Sequence, residues 1–513
     1  MLYAMNESMS SMCCSISSRV FVSALALSVA ASVAHGEGII TNQTKSLTLR
    51  ECVERALENN LEIKSERINP TIGTWGVVGA QGVYDPVLSG SVNYQDSKSP
   101  LSPDQETSLG RPSLSQQLLD SSVGLAGKLP SGASYNFFGS NTRTSGDLAS
   151  NFVYTGSAGV SGTQPLLKNF GFGVNAATIR IARETKTIAV QNFVQLVMNK
   201  ISAVSTAYYE LIFAIENHKA AVENRALAQQ LLDENRRREQ VGTMSPLDVI
   251  QAEAGVAESE QNVILTARTI KDNENTLKRL ICQQVTEFRG VSLVPVDYPL
   301  VQMVALDVAE STRTALQMRG DYLSALHTVE KQNITVQFSR NQLWPQIDLQ
   351  GSYAANGRGD TFTSFAERTA GGNSPTWAAG VVVSFPLGDR QARSSYHIAR
   401  LDADQLLLSL KSLEQDIFVQ VDNAVGHVES NLKSVEAARA ATRLAQESLD
   451  AEKKKLLAGT STTFLVLQAQ TQLATARSAE SRAEADYGES LVTLDLAEGT
   501  ILQKNNIVLD EKY

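Results

Sequence analysis

Residues 191–219 have the sequence QNFVQLVMNKISAVSTAYYELIFAIENHK, and this stretch decides the fold. Its apolar residues recur in alternating steps of four and three, at Val197, Ile201, Val204, Tyr208, Leu211 and Ile215. This spacing is typical of a coiled-coil seam. Because neither proline nor glycine occurs from 175 to 240, the sequence predicts one helix there. A helix of about 66 residues is roughly 100 Å long, so it needs long helical partners.

The second half of the chain repeats this organisation. The tripeptide Val241-Gly242-Thr243 after the first long helix matches Ala458-Gly459-Thr460 after a second one, over 391–457. Further upstream, Tyr84-Asp85-Pro86 matches Leu343-Trp344-Pro345. Matches in the same order indicate an internal tandem duplication, so the chain is interpreted as two repeats.

Each repeat is predicted to contain a short helix, a strand region, a long helix, a turn and a returning helix. The first repeat, 37–283, is divided into helix 47–81, strands 86–96 and 153–164 with an inserted loop or hairpin 97–152, long helix 175–240, tip 241–246 and helix 247–283. The second repeat, 307–503, is divided into helix 307–341, strands 345–354 and 377–386, long helix 391–457, tip 458–462 and helix 463–503. Residues 284–306 are predicted to be a linker and 504–513 a tail.

The first 36 residues have the pattern of a secretory signal peptide. Arg19 precedes an apolar run, 20–33, and small residues suited to cleavage lie at Ser32-Val33-Ala34 or at Ala34-His35-Gly36. The alternative is a membrane anchor, although the run is shorter than the ~20 residues of a spanning helix. No other stretch approaches that length, so insertion into a membrane must use β-strands.

The strand regions alternate apolar and polar residues. Ile347, Leu349, Gly351 and Tyr353 alternate with polar neighbours, and the segments are about ten residues long with aromatic residues near their ends, as in membrane barrels. The edge of a soluble β-sandwich remains an alternative. Two strands per half give four per chain, fewer than the roughly eight that close a barrel, so several copies must share one. The hairpin over 120–141 either decorates an outer loop or adds strands.

Composition argues against nucleic-acid binding and catalysis. The formal net charge of −9 provides no basic face for nucleic acid. The five histidines show no metal-ligand spacing with cysteines or carboxylates, and Gly171-Phe172-Gly173 lacks the third glycine of a dinucleotide-binding loop. The sequence therefore predicts no enzyme, no metal and no cofactor.

Three segments together resemble the TolC-like outer-membrane efflux protein family over nearly the whole chain after residue 36. The first looks like the family's first helix and has the sequence Leu47-Thr48-Leu49-Arg50-Glu51-Cys52-Val53-Glu54-Arg55-Ala56-Leu57-Glu58-Asn59-Asn60. The second is Gln164-Pro165-Leu166-Leu167, which precedes a long helix. The third is the pair of helix tips that begin at Val241 and Ala458. The resemblance implies a mixed α and β fold. A long α-helical coiled-coil barrel in the periplasm would join a transmembrane antiparallel β-barrel shared by the three protomers of a homotrimer.

The function implied by this resemblance is that of a passive outer-membrane exit duct. Such a duct serves a tripartite efflux or type I secretion system, with a periplasmic adaptor (membrane fusion protein) and an inner-membrane RND or ABC-type transporter. The cargo would be small molecules or polypeptides, and residues 284–308 together with the tail after about residue 500 would form an equatorial collar. An alternative of another class is a periplasmic coiled-coil scaffold or adaptor that does not enter the membrane.

The helix tips are the candidate functional site. The resemblance assigns adaptor docking to Val241, Gly242, Thr243, Asp248, Gly459, Thr460 and Ser461. Local chemistry explains the same residues differently, because glycine permits a sharp helix reversal and Pro246 suits a first helical turn. Thr243 and Ser245, with Thr460 and Ser461, are expected to cap the helices that follow.

The periplasmic gate departs from the family pattern. Well-known members have acidic residues after the second tip and a basic residue in that tip, which holds the carboxylate of the first tip. Asp248 matches that carboxylate, but Ser461 occupies the basic position, and Leu465 and Gln468 occupy the acidic ones. Phe464, Leu465 and Gln468 are therefore the candidate constriction, with an apolar rather than an acidic character.

Overall fold

The computed structural model describes residues 43–147, 149–299, 301–303 and 306–509. The predicted signal peptide, 1–36, lies outside the described residues. The helices are α1 (Leu49–Asn59), α2 (Leu61–Glu66), α3 (Ile68–Gln81), α4 (Pro103–Leu109), α5 (Phe172–Asn175), α6 (Ala177–Gln240), α7 (Pro246–Ile281), α8 (Val308–Met318), α9 (Gly320–Asn341), α10 (Phe362–Ala370), α11 (Arg390–Leu457), α12 (Thr463–Glu498) and α13 (Ile501–Lys504). The strands are β1 (Gln43–Leu47), β2 (Val87–Pro100), β3 (Ser113–Lys128), β4 (Ser134–Gly146), β5 (Ala149–Pro165), β6 (Val291–Pro295), β7 (Gln346–Gly359) and β8 (Pro375–Ser384).

Two helical hairpins, α6–α7 and α11–α12, form most of the molecule. α6 has 64 residues and α11 has 68, and the returning helices have 36 each. The predicted seam of α6 is buried from Val197 to Leu211. The two repeats bury equivalent positions, namely Val204 and Val421, Tyr208 and Val425, and Leu211 and Val428. The hairpins also pack against each other, because α6 contacts α12 as well as α7.

Both short helices of the prediction are broken in the structure. The region 47–81 contains α1, α2 and α3, because the Asn60 side chain caps α2 by accepting hydrogen bonds from the backbone N–H groups of Glu62 and Ile63. The region 307–341 is divided into α8 and α9 at Arg319, whose backbone is extended, and α9 begins at Gly320. A Cβ atom at Gly320 would lie 2.5 Å from the Gln191 carbonyl oxygen, so a close approach to α6 fixes the break.

The strands β2, β3, β4, β5, β7 and β8 form one six-stranded antiparallel sheet in that order. The count of four strands per chain is therefore wrong, because β3 and β4 of the insert 97–152 lie between β2 and β5. A tight turn joins them: the Leu129 N–H donates to the Ala133 carbonyl at 2.7 Å, and Gly132 has a φ of 95°. The many serine and glutamine residues of β3 hide its alternation in the sequence.

The two faces of this sheet differ in polarity. One row, in register across all six strands, consists of Leu88, Leu125, Phe137, Val160, Tyr353 and Trp377. A row on the opposite face consists of Ser91, Ser122, Ser140, Ser157 and Asn356. α10 lies over part of the apolar face, beyond the row from Leu88 to Trp377. There Gly357 has no side chain and leaves space for the Thr369 side chain. Apart from this helix, the apolar face is open: Leu88 is 73% and Trp377 is 75% exposed.

A two-stranded sheet, which we call the equatorial layer, packs against the middle of α6. β1 and β6 pair in parallel, so the predicted linker 284–306 contains a strand. The buried Tyr208 hydroxyl accepts hydrogen bonds from the Val296 and Asp297 N–H groups, at 3.0 and 2.9 Å, and donates to the Leu47 carbonyl at 3.1 Å. α6 is thereby tied to both strands of this layer. Among the described helices, none is long and apolar enough to cross a membrane.

Candidate functional site at the helix tips

The first tip reverses the chain between α6 and α7. Gly242 has a φ of 73°, which a residue with a side chain rarely adopts. Its N–H donates to the Glu239 carbonyl at 2.8 Å. The N–H and hydroxyl of Thr243 both donate to the Arg238 carbonyl, at 2.8 and 3.0 Å. The carbonyls of Arg238 and Glu239, near the end of α6, thus find their hydrogen-bond donors within the turn.

The second tip is built in the same way. Gly459 has a φ of 77°, and the N–H and hydroxyl of Thr460 donate to the Lys455 carbonyl at 2.9 and 3.2 Å. The expectation that Thr243 and Thr460 cap the following helices is wrong, because both close the preceding helix. The caps of α7 and α12 are Ser245, as expected, and Thr462 in place of Ser461.

Asn235 connects the two tips inside one chain. Its side chain is fully buried, and its amide nitrogen donates to the Asp248 carbonyl at 3.3 Å and to the Thr463 hydroxyl at 3.1 Å. Asp248 belongs to the first turn of α7, and Thr463 begins α12. The burial of Asn235 cannot be predicted from the sequence, since a polar residue in a long helix is usually solvent-exposed.

Ser461 interacts within its own hairpin rather than with the first tip. Its hydroxyl donates to the Glu452 carboxylate, which also accepts from Lys455 at 3.1 Å. The Ser461 hydrogen bond, and then Lys455, lower the pKa of Glu452. Asp248 forms no ion pair within the described residues. The structure therefore does not bring Ser461 and Asp248 together in one chain.

The three residues of the candidate constriction lie together on one side of α12. Phe464, Leu465 and Gln468 are exposed, whereas Val466 and Ala469 are buried against the hairpin core. Helical spacing explains this division, because positions three and four residues apart share a face. On the first tip Val241 is likewise exposed, so both tips present apolar side chains at the end of the molecule.

The tips contain no arrangement suited to a metal. Throughout the described ranges, His, Cys, Asp and Glu side chains form no group that could hold an ion. The site offers backbone turns, apolar side chains and charged helix ends.

Comparison with known proteins identifies the family. The sequence model described as "Outer membrane efflux protein" matches residues 122–283 and 312–500. Nodulation protein T of Rhizobium leguminosarum bv. trifolii is 24% identical over 186 residues, which are 36% of this chain and 38% of that protein.

Solved outer-membrane channels have a similar fold. The CmeC channel of Campylobacter jejuni superposes with a TM-score of 0.65 at 18% identity, over 90% of each chain. VceC of Vibrio cholerae gives 0.64 at 14% identity, over 88% of this chain and 96% of that one. These likenesses show the fold, and the sequence match extends over both repeats. The chain belongs to the outer membrane efflux protein family.

Proposed function

We propose that this protein is the passive outer-membrane exit duct of a tripartite efflux or type I secretion system. Its sheet would form part of a barrel in the membrane, and its helical hairpins would extend as a tube into the periplasm. Family membership and the channel-like fold support an export role without catalysis.

The apolar face of the six-stranded sheet is the observation that carries the proposal. The row from Leu88 to Trp377 crosses all six strands. A soluble protein rarely leaves so large an apolar patch open to water. In lipid such a face is favoured, while the hydroxyl-rich opposite face suits a water-filled lumen. Aromatic side chains such as Tyr353 and Trp377 are common in these barrels near the membrane boundary.

The sheet edges determine how many copies take part. β2 and β8 are its outer strands, and an unpaired edge cannot face lipid. Three copies of six strands would give a barrel of eighteen, an even number within the range of bacterial outer-membrane barrels. The homotrimer implied by the sequence resemblance is thus compatible with the larger sheet.

The tips are the proposed meeting point with a periplasmic adaptor, which would link the duct to an RND or ABC-type inner-membrane transporter. Val241, Gly242, Thr243 and Asp248 of the first tip would dock beside Gly459, Thr460 and Ser461 of the second. Two turns with the same hydrogen bonds support this, because they offer a repeated surface at the free end of the tube.

Phe464, Leu465 and Gln468 are the proposed constriction at this end. An apolar ring resists the passage of ions because dewetting is favoured in a narrow apolar pore. Single-channel recordings should show a larger closed-state leak for Leu465→Ser than for the wild type. An unchanged leak would contradict the constriction and leave the duct intact.

The membrane assignment can be tested with two lysine substitutions on one strand. Val160→Lys places a charge on the apolar face, at a cost of about 2–4 kcal/mol near the bilayer centre. Ser157→Lys places the same charge on the polar face and is the matched control. Val160→Lys should reduce the heat-modifiable form in outer-membrane fractions, and Ser157→Lys should not. Recovery of the wild type only from the soluble periplasm would instead support the scaffold alternative.

A further inference from the structure

Helix α10 and the apolar face of the sheet enclose a groove that has no part in the proposed duct. α10 is held against β5 and β7 at both of its ends. At its start the Phe362 ring lies edge-on to the Tyr154 ring, with centroids 6.2 Å apart, and Phe365 is buried. Near its end the Arg368 guanidinium donates to the Arg358 carbonyl at 2.8 Å. The helix is therefore a fixed wall over this face rather than a loose connection between β7 and β8.

We call the space between α10 and strands β2–β5 the α10 groove, and its volume is about 610 Å³. The strands leave it open because Gly90, Gly139 and Ala158 have little or no side chain there. Val123 and Phe362 supply apolar walls. A cleft of this size and character suits one small ligand or one alkyl chain. In the proposed duct the water-filled lumen is on the other side of the sheet, so cargo does not reach this groove.

An unsatisfied polar group faces this apolar space. Asn141 of β4 lines the α10 groove, and its side-chain oxygen is buried with no hydrogen-bond partner in the part of the chain that the structure describes. A buried acceptor without a donor is costly, so it favours a ligand that carries an N–H or O–H group.

Arg143 supplies a cation beside the groove. It follows Asn141 by two residues on the same face of β4, about 7 Å along the strand, and it pairs in register with Tyr154, on which α10 rests. Its guanidinium lies over the Phe152 ring, 4.9 Å from the centroid, and the described residues give it no carboxylate partner. A guanidinium in this setting binds phosphate or carboxylate well, because it presents several N–H donors in one plane.

We infer that the α10 groove binds one acyl chain of an anionic lipid whose head group carries a phosphate and a hydroxyl. The chain lies between α10 and the strands, the phosphate accepts hydrogen bonds from the Arg143 guanidinium, and the hydroxyl donates to the Asn141 oxygen. This site rests on the proposed function, which places the apolar face in the membrane. The groove then opens onto lipid, so the bilayer supplies the occupant, and burial of its methylene groups favours binding.

Head-group preference distinguishes this lipid from the lipid that surrounds any barrel. An apolar wall alone binds the same acyl chain equally well whatever head group the chain carries. Arg143 and Asn141 add contacts that only an anionic, hydroxylated head group satisfies. The site is therefore defined by a difference in affinity between two lipids with identical chains.

Native mass spectrometry of the full-length protein in detergent tests the inference. Dimyristoyl phosphatidylglycerol should be retained at one molecule per chain. Dimyristoyl phosphatidylcholine has the same chains but a head group without net charge or hydroxyl, and its affinity should be about fivefold lower, as for the loss of one partly exposed ion pair. Glycerol 3-phosphate, which offers the phosphate and hydroxyls without a chain, should not be retained.

Gly139→Leu fills the groove and tests the place of the chain. A Cβ atom at Gly139 would lie 3.6 Å from Cγ1 of Val123, an ordinary contact, so the sheet accepts a side chain here. The variant should lose both lipids. Val160→Leu, on the same face but outside the groove, is the matched control and should bind both lipids as the wild type does.

Arg143→Gln tests the head group separately. Its affinity for phosphatidylglycerol should fall to that for phosphatidylcholine, while its affinity for phosphatidylcholine stays unchanged. Lys98→Gln is the matched control, because it removes a cation from the same face of the sheet outside the groove, and it should keep the preference of the wild type.

The outcomes separate this inference from the proposed function. Equal retention of the two lipids by a wild type that forms channels would contradict the lipid site and leave the duct standing. So would Gly139→Leu and Arg143→Gln variants that both retain phosphatidylglycerol as the wild type does. Selective retention that both substitutions remove supports the site. If the same protein gives no current steps in bilayers, the duct is contradicted and the lipid site is kept.

Discussion

Asn235 is the residue on which the intrachain contact of the tips depends. Asn235→Ala removes the side-chain amide that the Thr463 hydroxyl and the Asp248 carbonyl accept from in the protein interior. This loss should lower the free energy of unfolding by about 1–3 kcal/mol. We expect faster hydrogen exchange at the start of α12, together with a lower midpoint of thermal unfolding.

The neighbouring Glu234→Ala is a suitable control, because Glu234 is exposed on the same turn of α6. Its exchange rates at the start of α12 should match those of the wild type. Equal protection in Asn235→Ala and Glu234→Ala would show that the tips are held together by other contacts.

Glu489 on α12 makes stability depend on pH. Burial and then the nearby Glu210 carboxylate raise its pKa to about 7, and Arg482 opposes the shift. The unfolded chain loses this proton at lower pH than the folded chain. The folded state is therefore penalised progressively as pH rises from about 4.5 to about 7, and the penalty is constant above that range.

Glu489→Gln should remove this pH dependence. Its melting temperature should equal that of the wild type near pH 5 and exceed it by a few degrees near pH 8. Glu447→Gln, at an exposed position on α11, should follow the wild type at both values. A constant difference between Glu489→Gln and the wild type would show that Glu489 does not titrate in this range.

At the scale of elements, a buried ion pair attaches β6 to α7. Lys278 and Glu274 are both buried and lie 3.3 Å apart, and Glu274 also accepts from the Leu293 N–H at 3.3 Å. Lys278→Met removes the buried partner but leaves Glu274 with the more exposed Lys271 at 3.1 Å, so the cost should stay below the about 3–5 kcal/mol of a fully unpaired buried charge. Chemical denaturation should therefore show early loss of the equatorial layer.

The double variant Lys278→Met/Glu274→Leu provides the matched comparison. Replacing both charges by apolar groups is often nearly neutral, so most of the lost stability should return. If the double variant is as unstable as Lys278→Met, the layer depends on the carboxylate's hydrogen bond with Leu293 rather than on the ion pair.

The sequence predicts a helix or strand well where the spacing of its apolar residues is regular over many residues. The seam from Val197 to Leu211 predicted a long helix because each turn adds another apolar residue to the same stripe. The sequence predicts neither the break before Gly320 nor the full extent of strand β3. The first depends on the approach of another helix, and the second lies in a run of serine and glutamine without clear alternation. The same limit applies at the tips, because the role of Asn235 as a bridge between the hairpins can be recognised only once α12 is placed beside α6.

At the scale of the whole molecule, the sheet and the hairpins have one feature in common: neither is complete in a single chain. The sheet ends at β2 and β8, and the hairpins leave Leu444 and Ile250 uncovered. In the proposed duct, a ring of copies would pair the outer strands and cover these helix faces together. The proposed barrel and the proposed tube therefore depend on the same assembly.

Single-channel recording of the purified protein in planar lipid bilayers is the most direct test of the proposed duct. We expect discrete current steps from inserted trimers, with a larger closed-state leak for Leu465→Ser, whose constriction is less apolar. An absence of steps from both proteins, despite trimers recovered from the same bilayers, would contradict it.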